Sequence, residues 1–362
     1  MARASSDAYS ASYAARRNER CPSALRSRDR RSLHRLHYVN YAPRLECSGV
    51  KRRSHLAAPV PTREVLAFVA LAFGLAWLIA LPLWLDERGL KAPYAVVLLV
   101  GMMGAPSLAV LVVRQLFRPP DLKEILALRS GERAAGVWLL AGAAPLLVVL
   151  ASLALAALFG VYELDLRELS NLRKLLEEAG AGDVLDKMSI HTLAALIVVG
   201  ALVGGVMNLP PALGEELGWR GYLLPRLLPL GTGRAIVVSG VVWGLWHAPV
   251  MLLGYNYPDH PGVGFLVFCV PTVLMGALLS WLRFASDSVF PAALGHGAIN
   301  ASAGLPVVFA KADTPIDPLQ VGLLGWTGWI VMATLVALLV VRGRLRPSTS
   351  MSAAPYSGDR PV

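Results

Sequence analysis

Ionisable side chains are rare inside the long apolar runs of this sequence, and they concentrate in three short motifs. A charged residue at the centre of a membrane helix costs about 2.5–3.5 kcal/mol on the insertion scale. Such residues normally face one another or a water-filled cavity, which makes them candidates for a functional site. The three motifs are Glu215-Glu216-x-x-x-Arg220, Trp243-x-x-x-His247 and His296-x-x-x-Asn300.

These residue types fit the hydrolysis of an amide bond. A carboxylate and an imidazole that reach one water can remove its proton, as Glu215 and His247 would do here. His296 and Asn300 are four residues apart. They therefore share a helix face and can donate hydrogen bonds to the oxyanion of a tetrahedral intermediate. The predicted catalytic residues are Glu215, His247, His296 and Asn300.

Glu216 and Arg220 have the spacing of an ion pair within one helix, with the acid on the N-terminal side. A pair of this kind can be purely structural. It leaves Glu215 without a local partner of its own, so Glu215 is the candidate base.

The same side chains also admit a metal-based reaction. Two histidines and a carboxylate form a known catalytic zinc set, so Glu215, His247 and His296 are candidate ligands of a divalent metal. Their spacing does not decide between the two mechanisms. The sequence has no His-Glu-x-x-His or Gly-x-Ser-x-Gly motif and no Asp within a predicted span. The serine and aspartyl classes of intramembrane hydrolase are therefore disfavoured.

The elements that position these residues are predicted to be membrane helices. The chain has 55% hydrophobic and 16% charged residues and a mean hydropathy of +0.54, which excludes an ordinary soluble enzyme. Apolar runs of about 20 residues match a hydrocarbon core of about 30 Å. We predict an all-α transmembrane bundle of about eight helices, at Val65–Leu85, Tyr94–Val113, Ala134–Tyr162, Thr192–Gly214, Ala235–Pro258, Pro261–Leu282, Ser288–Ala310 and Pro318–Val341.

The number of residues between each motif and the end of its predicted helix gives the depth of that motif in the membrane. This depth is similar for the three motifs. The fourth helix is expected to bend at its Pro-Pro pair and to continue past Glu215 to about Leu228. At about 1.5 Å per residue, Glu215, His247 and Asn300 would each lie about 20 Å from the same membrane face. His296 would lie about one turn closer to that face. The sequence therefore predicts that the three motifs converge.

Charge divides the chain into unequal parts. Residues 1–63 contain 14 Lys or Arg and 4 Asp or Glu, whereas residues 64–362 contain 20 of each. We predict a basic, disordered tail at 1–63, a protease domain in the membrane at 64–342 and a disordered tail at 343–362. The basic tail is short and low in apolar residues, so no nucleic-acid partner is expected. The excess of Lys and Arg in alternate loops predicts that both termini are cytoplasmic.

The connection from Glu163 to Ile190 is the one long loop predicted on the outer side. Its leucines recur at helical spacing between Leu169 and Leu176. This pattern predicts an amphipathic helix that lies on the surface of the bundle.

The three motifs resemble those of the CPBP family, the CAAX proteases and bacteriocin-processing enzymes, which include the type II CAAX prenyl endopeptidases. The resemblance covers about residues 65 to 341. It extends to Gly221-Tyr222-Leu223-Leu224 after the first motif and to Ala248-Pro249 after the second.

The resemblance implies an intramembrane endopeptidase, with the four predicted catalytic residues in the roles given above. Glu216 and Arg220 would support the site. Trp243 stands where the family most often has Phe, and it would keep an aromatic wall there. The family is often described as metallo-, although a metal-free glutamate mechanism has also been argued for its prenyl proteases. Zinc therefore stays a candidate cofactor.

The expected partners are the lipid bilayer and a peptide or protein substrate that can be lipid-modified. The expected location is the cell membrane, as a multi-pass protein of the bacterial inner membrane. Two other functions fit the same cluster. One is a proton- or ion-coupled transporter in which Glu215, His247 and His296 relay protons. The other is a non-catalytic bacteriocin-immunity protein that acts by binding.

Overall fold

The computed structural model describes residues 59–119, 122–128, 135–347 and residue 351. All regular elements in these ranges are helices, apart from one isolated antiparallel bridge between Leu164 and Ala310. The all-α prediction is therefore confirmed. The predicted tails at 1–63 and 343–362 fall largely outside the described residues, and both remain predictions.

The helices follow one another with short connections. A π-helical segment lies at Leu217–Leu223, and 3-10 turns lie at Gly89–Lys91 and Leu228–Leu230. The α-helices of the described residues are α1 Thr62–Leu85, α2 Ala95–Met103, α3 Ala105–Phe117, α4 Leu122–Leu126, α5 Ala135–Leu158, α6 Ser170–Glu178, α7 Val184–Lys187, α8 Ile190–Met207, α9 Leu209–Glu216, α10 Leu224–Leu227, α11 Thr232–Trp246, α12 Ala248–Met251, α13 Pro261–Val267, α14 Cys269–Ser286, α15 Phe290–Ser302, α16 Leu305–Val308 and α17 Trp326–Val341.

Four helical segments in the described part of the chain are long and apolar enough to cross a membrane. They are α1, α5, α8 and the segment Pro261–Ser286, which contains α13 and α14. Helices α2 and α3 are bent by 40° and would together make a fifth. The predicted count of about eight spans and the predicted cytoplasmic termini are not confirmed.

The helices that carry the three motifs are shorter than predicted because the chain breaks inside its apolar runs. Helix α9 has 8 residues, α11 has 15 and α15 has 13. The break between α8 and α9 lies at Asn208, two residues ahead of Pro210, rather than at the Pro-Pro pair itself. Helix α11 ends at Trp246, shortly before Pro249, which has no N–H group to continue the helical hydrogen bonds.

Helix α15 lies inside the bundle, where it packs against α5, α8, α9 and α14. It crosses α8 at small residues, which let the two backbones approach closely. A Cβ atom on Gly297 would lie 2.5 Å from the backbone oxygen of Gly205, and one on Gly205 would lie 3.0 Å from the Cβ of Ala298. This close crossing fixes the position of α15, which carries His296, relative to α8.

Replacing Gly297 with Ala is expected to lower the melting temperature, although alanine is the better helix former. The added methyl group meets a backbone oxygen, and overpacking of this kind costs about 1–3 kcal/mol. Gly200→Ala in α8 is the matched control, because nothing lies within 4 Å of its new Cβ atom. Thermal unfolding in detergent compares the two variants. Equal melting temperatures would show that α8 and α15 do not cross this closely.

The segment between α5 and α8 contains the amphipathic helix that the sequence predicts. This helix is α6, which buries Leu172 against the bundle. Lys174 of α6 pairs with Asp313 at 2.6 Å, beyond the end of α15. The Ser170 hydroxyl and neighbouring backbone N–H groups hold the pKa of Asp165 well below its usual range. Asp165 is therefore ionised at neutral pH, and its hydrogen bonds fasten the start of α6.

Candidate active site

The first motif lies where α9 passes into the π-helical segment. Pro210 occupies the first turn of α9, where its missing N–H group costs no helical hydrogen bond. Glu215 and Glu216 are the last two residues of α9, and Arg220 lies in the π-helical segment. Such π-helical insertions are frequent at functional sites.

Glu216 joins two of the three motifs. Its Oε1 accepts a hydrogen bond from Arg220 Nη1 at 2.8 Å, which confirms the predicted ion pair. The same oxygen lies 2.9 Å from His296 Nδ1. Since a carboxylate oxygen accepts, Nδ1 of His296 is the donor and carries a proton. All three side chains are buried, so this network fixes the relative positions of α9 and α15.

Glu215 is also partnered, and the prediction that it has no local partner is wrong. Its Oε2 accepts hydrogen bonds from Trp243 Nε1 at 2.7 Å and from Trp219 Nε1 at 3.2 Å. Trp219 lies four residues after Glu215 and therefore on the same helix face. The carboxylate is 2% exposed. Two indole N–H groups thus take the place of the water that would otherwise solvate this oxygen.

Trp243 is in contact with all three motifs. The Arg220 guanidinium carbon lies 4.4 Å from the centroid of the Trp243 ring, within cation–π distance. The ring centroid of His296 is 5.3 Å away in an edge-to-face arrangement, and that of His247 is 6.0 Å away. The residue forms the predicted aromatic wall and, in addition, donates a hydrogen bond to Glu215.

His247 follows the last residue of α11 and is partly buried. Its Nδ1 lies 2.8 Å from the carbonyl oxygen of Trp243. A carbonyl only accepts, so Nδ1 carries the proton, and the neutral ring keeps the lone pair of its Nε2 for a substrate or a water. The ring is held edge-to-face by Trp246 and Phe268, with centroids 4.8 and 4.9 Å away.

The third motif runs from the buried interior to an exposed position. His296 is buried, whereas Asn300, one helical turn later on the same face of α15, is exposed. No described residue makes a side-chain hydrogen bond to Asn300. The predicted convergence of the motifs is therefore observed as direct contacts for Glu216, His296 and Trp243, and Asn300 is placed by its helix alone.

The Glu215 carboxylate lies within electrostatic range of both imidazoles, His247 and His296, and of Tyr255 in the loop after α12. Tyr255 is exposed. Sequence reasoning missed Tyr255, because this residue belongs to none of the motifs. The donor role of Trp219 was also missed, although its spacing from Glu215 was visible.

The candidate metal ligands are Glu215, His247 and His296. In the described part of the chain, no group of three or more His, Cys, Asp or Glu side chains is arranged to hold a metal ion. Glu215 Oε2 is engaged by two indoles, and Nδ1 of each histidine is engaged as well. The residues present do not fit a three-ligand zinc site in this arrangement. Zinc remains a prediction for experiment.

All seven predicted site residues fall within residues 190–302, and this segment matches the family model described as type II CAAX prenyl endopeptidase Rce1-like. Residues 190–302 of this chain are therefore similar to the Rce1-like family. The predicted family resemblance is thereby confirmed, and it agrees with the apolar helices of a multi-pass membrane protein.

A curated relative matches part of the same chain. It is named CAAX prenyl protease 2, from Methanococcus maripaludis, and it is 29% identical over 111 residues. The match covers 28% of this chain and spans 39% of the relative's length. The similarity therefore concerns a part of each protein rather than the whole of either one.

Proposed function

We propose that this protein is an intramembrane endopeptidase that hydrolyses a peptide bond of a membrane-associated protein or peptide. The observation that carries the proposal is the buried Glu215 carboxylate, which shares one cluster of contacts with two imidazoles inside the segment similar to the Rce1-like family. A helix bundle gains little stability from a carboxylate at such a place, because burial of an ion is costly even where neutral donors reach it. A hydrolytic site gives these groups a reason to be there.

In the proposed reaction, Glu215 and His247 activate one water. Glu215 takes a proton from the water, which attacks the carbonyl carbon of the scissile bond. The resulting tetrahedral intermediate collapses as the C–N bond breaks, and the proton passes from Glu215 to the leaving nitrogen. His247 presents the lone pair of Nε2, and it orients the water by accepting its second hydrogen. General base catalysis of this kind contributes about 10²–10⁴-fold.

The oxyanion of the intermediate is assigned to His296 and Asn300. The Asn300 side-chain amide has two N–H donors. A protonated His296 keeps Nδ1–H on Glu216 and offers Nε2–H to the oxyanion. Removal of one such donor from other hydrolases lowers kcat by about 10²–10³-fold. Glu216 and Arg220 hold His296 in place and do not touch the substrate.

We propose a lipid-modified peptide as the substrate class. The curated relative bears the name of a prenyl protease, and a site inside a membrane bundle is reached most readily by a substrate that partitions into the bilayer. The location that follows is the cell membrane, and the bacterial inner membrane remains a prediction.

The test is mass-spectrometric detection of cleavage products from matched peptides with and without a prenyl group. Purified wild-type protein in detergent or in lipid vesicles is compared with Glu215→Gln. Cleavage by the wild type alone supports the proposal, and a preference for the prenylated peptide supports the substrate class. Failure to cleave any peptide, together with Glu215-dependent ion flux into vesicles, would favour the transporter instead. Binding of a partner that is unaffected by Glu215→Gln would favour the non-catalytic alternative.

Metal removal is expected to leave this activity within about twofold of its starting value, because no step of the proposed reaction needs a metal ligand set. The measurement is peptide cleavage after incubation with 1,10-phenanthroline or EDTA and removal of the chelator. A loss of activity that zinc restores would establish the metal-based alternative at Glu215, His247 and His296.

A further inference from the structure

We infer that Trp243, together with Trp219, is a positioning residue for Glu215: the two indoles hold Oε2 and leave Oε1 as the oxygen that takes the proton. The inference rests on the proposed function, in which Glu215 is the base. The sequence analysis expected only an aromatic surface at Trp243. The inference adds a role for the indole N–H group of this residue.

The first observation is that both indoles donate to the same oxygen. Trp243 Nε1 and Trp219 Nε1 lie 2.7 and 3.2 Å from Glu215 Oε2. A carboxylate oxygen has two lone pairs, so two donors saturate it. Hydrogen bonds to an ionised acceptor are about twice as strong as neutral ones. A water is then better bound at the other oxygen.

The second observation concerns Oε1. No described residue donates a hydrogen bond to Oε1 of Glu215. Oε2 of the neighbouring Glu216 is fully buried without a hydrogen-bond partner, whereas Oε1 of Glu215 is not such an atom. Oε1 is therefore not fully buried, and it is the oxygen of Glu215 to which no described residue donates.

The third observation is that neither indole is free to turn. The Trp243 ring is in contact with the Arg220 guanidinium and with the edge-to-face ring of His296. Trp219 is fully buried and lies edge-to-face against Phe68 and Trp246, with both centroid distances at 5.7 Å. Rigid donors fix the direction of a carboxylate better than mobile ones, because little ordering is needed when the reaction begins.

Trp243→Phe separates the N–H group from the ring. The phenyl ring preserves an aromatic surface for Arg220 and His296, whereas the donor to Glu215 is lost together with part of the indole volume. We expect kcat to fall about tenfold while KM stays within about twofold, since the lost interaction orients the base and does not bind substrate.

Trp329→Phe is the matched control. Trp329 is a half-buried indole of α17, and its Nε1 donates to the backbone oxygen of Leu324 at 2.9 Å instead of to a carboxylate. This variant loses an indole N–H group and the same volume, so a purely structural effect would appear in both variants. Only Trp243→Phe is expected to lower kcat about tenfold. If Trp243→Phe does not fold, benzothienylalanine at 243 removes the N–H group and keeps the shape of the indole.

A second measurement is independent of catalysis. Infrared difference spectroscopy follows the carboxylate stretching bands of Glu215, which are assigned by their loss in Glu215→Gln. These bands are expected to shift in Trp243→Phe, because Oε2 loses its closer donor, and to stay unchanged in Trp329→Phe. Shifted bands in a protein that cleaves no peptide would support the two-indole contact and contradict the proposed protease. Cleavage by the wild type, with unshifted bands and an unchanged kcat in Trp243→Phe, would overturn the inference and leave the proposed protease standing.

Discussion

Glu215→Gln is expected to lower kcat for peptide cleavage by about 10²–10⁴-fold, the usual contribution of a general base. Glutamine has nearly the same shape, and its carbonyl oxygen can still accept the indole N–H groups of Trp219 and Trp243. The fold should therefore survive while the proton acceptor is lost. The measurement is the rate of product formation by mass spectrometry, with the melting temperature recorded for the same preparation.

Glu64→Gln supplies the matched control for this substitution. Glu64 is another buried carboxylate, in α1, and it contacts Tyr222 and Arg226 rather than the imidazoles. Its substitution can cost stability, but the rate per folded molecule should be retained. An equal loss of rate in both variants would mean that any buried carboxylate matters to the fold, and Glu215 would then have no special role.

Arg220→Met is expected to destabilise the protein strongly. It leaves the Glu216 carboxylate buried and without its charge partner, and removal of one partner of a buried pair costs about 3–5 kcal/mol. Oε2 of Glu216 has no hydrogen-bond partner among the described residues, so no donor there replaces the guanidinium. The fall in melting temperature should be the largest of the variants considered, and it is measured by thermal unfolding in detergent.

Two comparisons identify the cause of that loss. Arg88→Met removes an arginine whose side chain is 58% exposed and pairs with Asp86. It should have almost no effect, since exposed ion pairs contribute about 0–1 kcal/mol. The double variant Arg220→Met, Glu216→Gln removes the buried charge together with its partner and should recover part of the loss. A double variant no more stable than Arg220→Met would show that packing, not the unpaired carboxylate, is responsible.

Local spacing predicted the parts of this site that lie on one helix. Glu216 and Arg220 are four residues apart, and the ion pair follows from helical geometry. The contact between Glu215 and Trp219 has the same spacing, so it was also predictable. It was missed because only opposite charges were paired, although an indole N–H group is an equally suitable donor to a carboxylate.

Contacts between helices were less accessible to sequence reasoning. Equal depth predicted that the three motifs meet, and the hydrogen bond between His296 and Glu216 agrees with it. Depth does not give the rotation of a helix about its axis, however. The rotation of α11 directs Trp243 Nε1 toward Glu215. The Asn300 side chain makes no hydrogen bond with a described residue, so only its helix determines its position. The predicted count of about eight spans is not confirmed. Hydropathy alone does not reveal a break in an apolar run, because Asn208 interrupts one such run without lowering its hydropathy enough to divide it.

The unequal lengths of the helices have a consequence for the access of water to the site. At about 1.5 Å per residue, α15 is about 20 Å long, whereas its neighbour α5 has 24 residues and is about 36 Å long. A helix as long as α5 can cross a hydrocarbon core of about 30 Å, whereas a helix as short as α15 cannot. Under the proposed function, the short helix that carries His296 would leave room for the hydrolytic water between the ends of its longer neighbours.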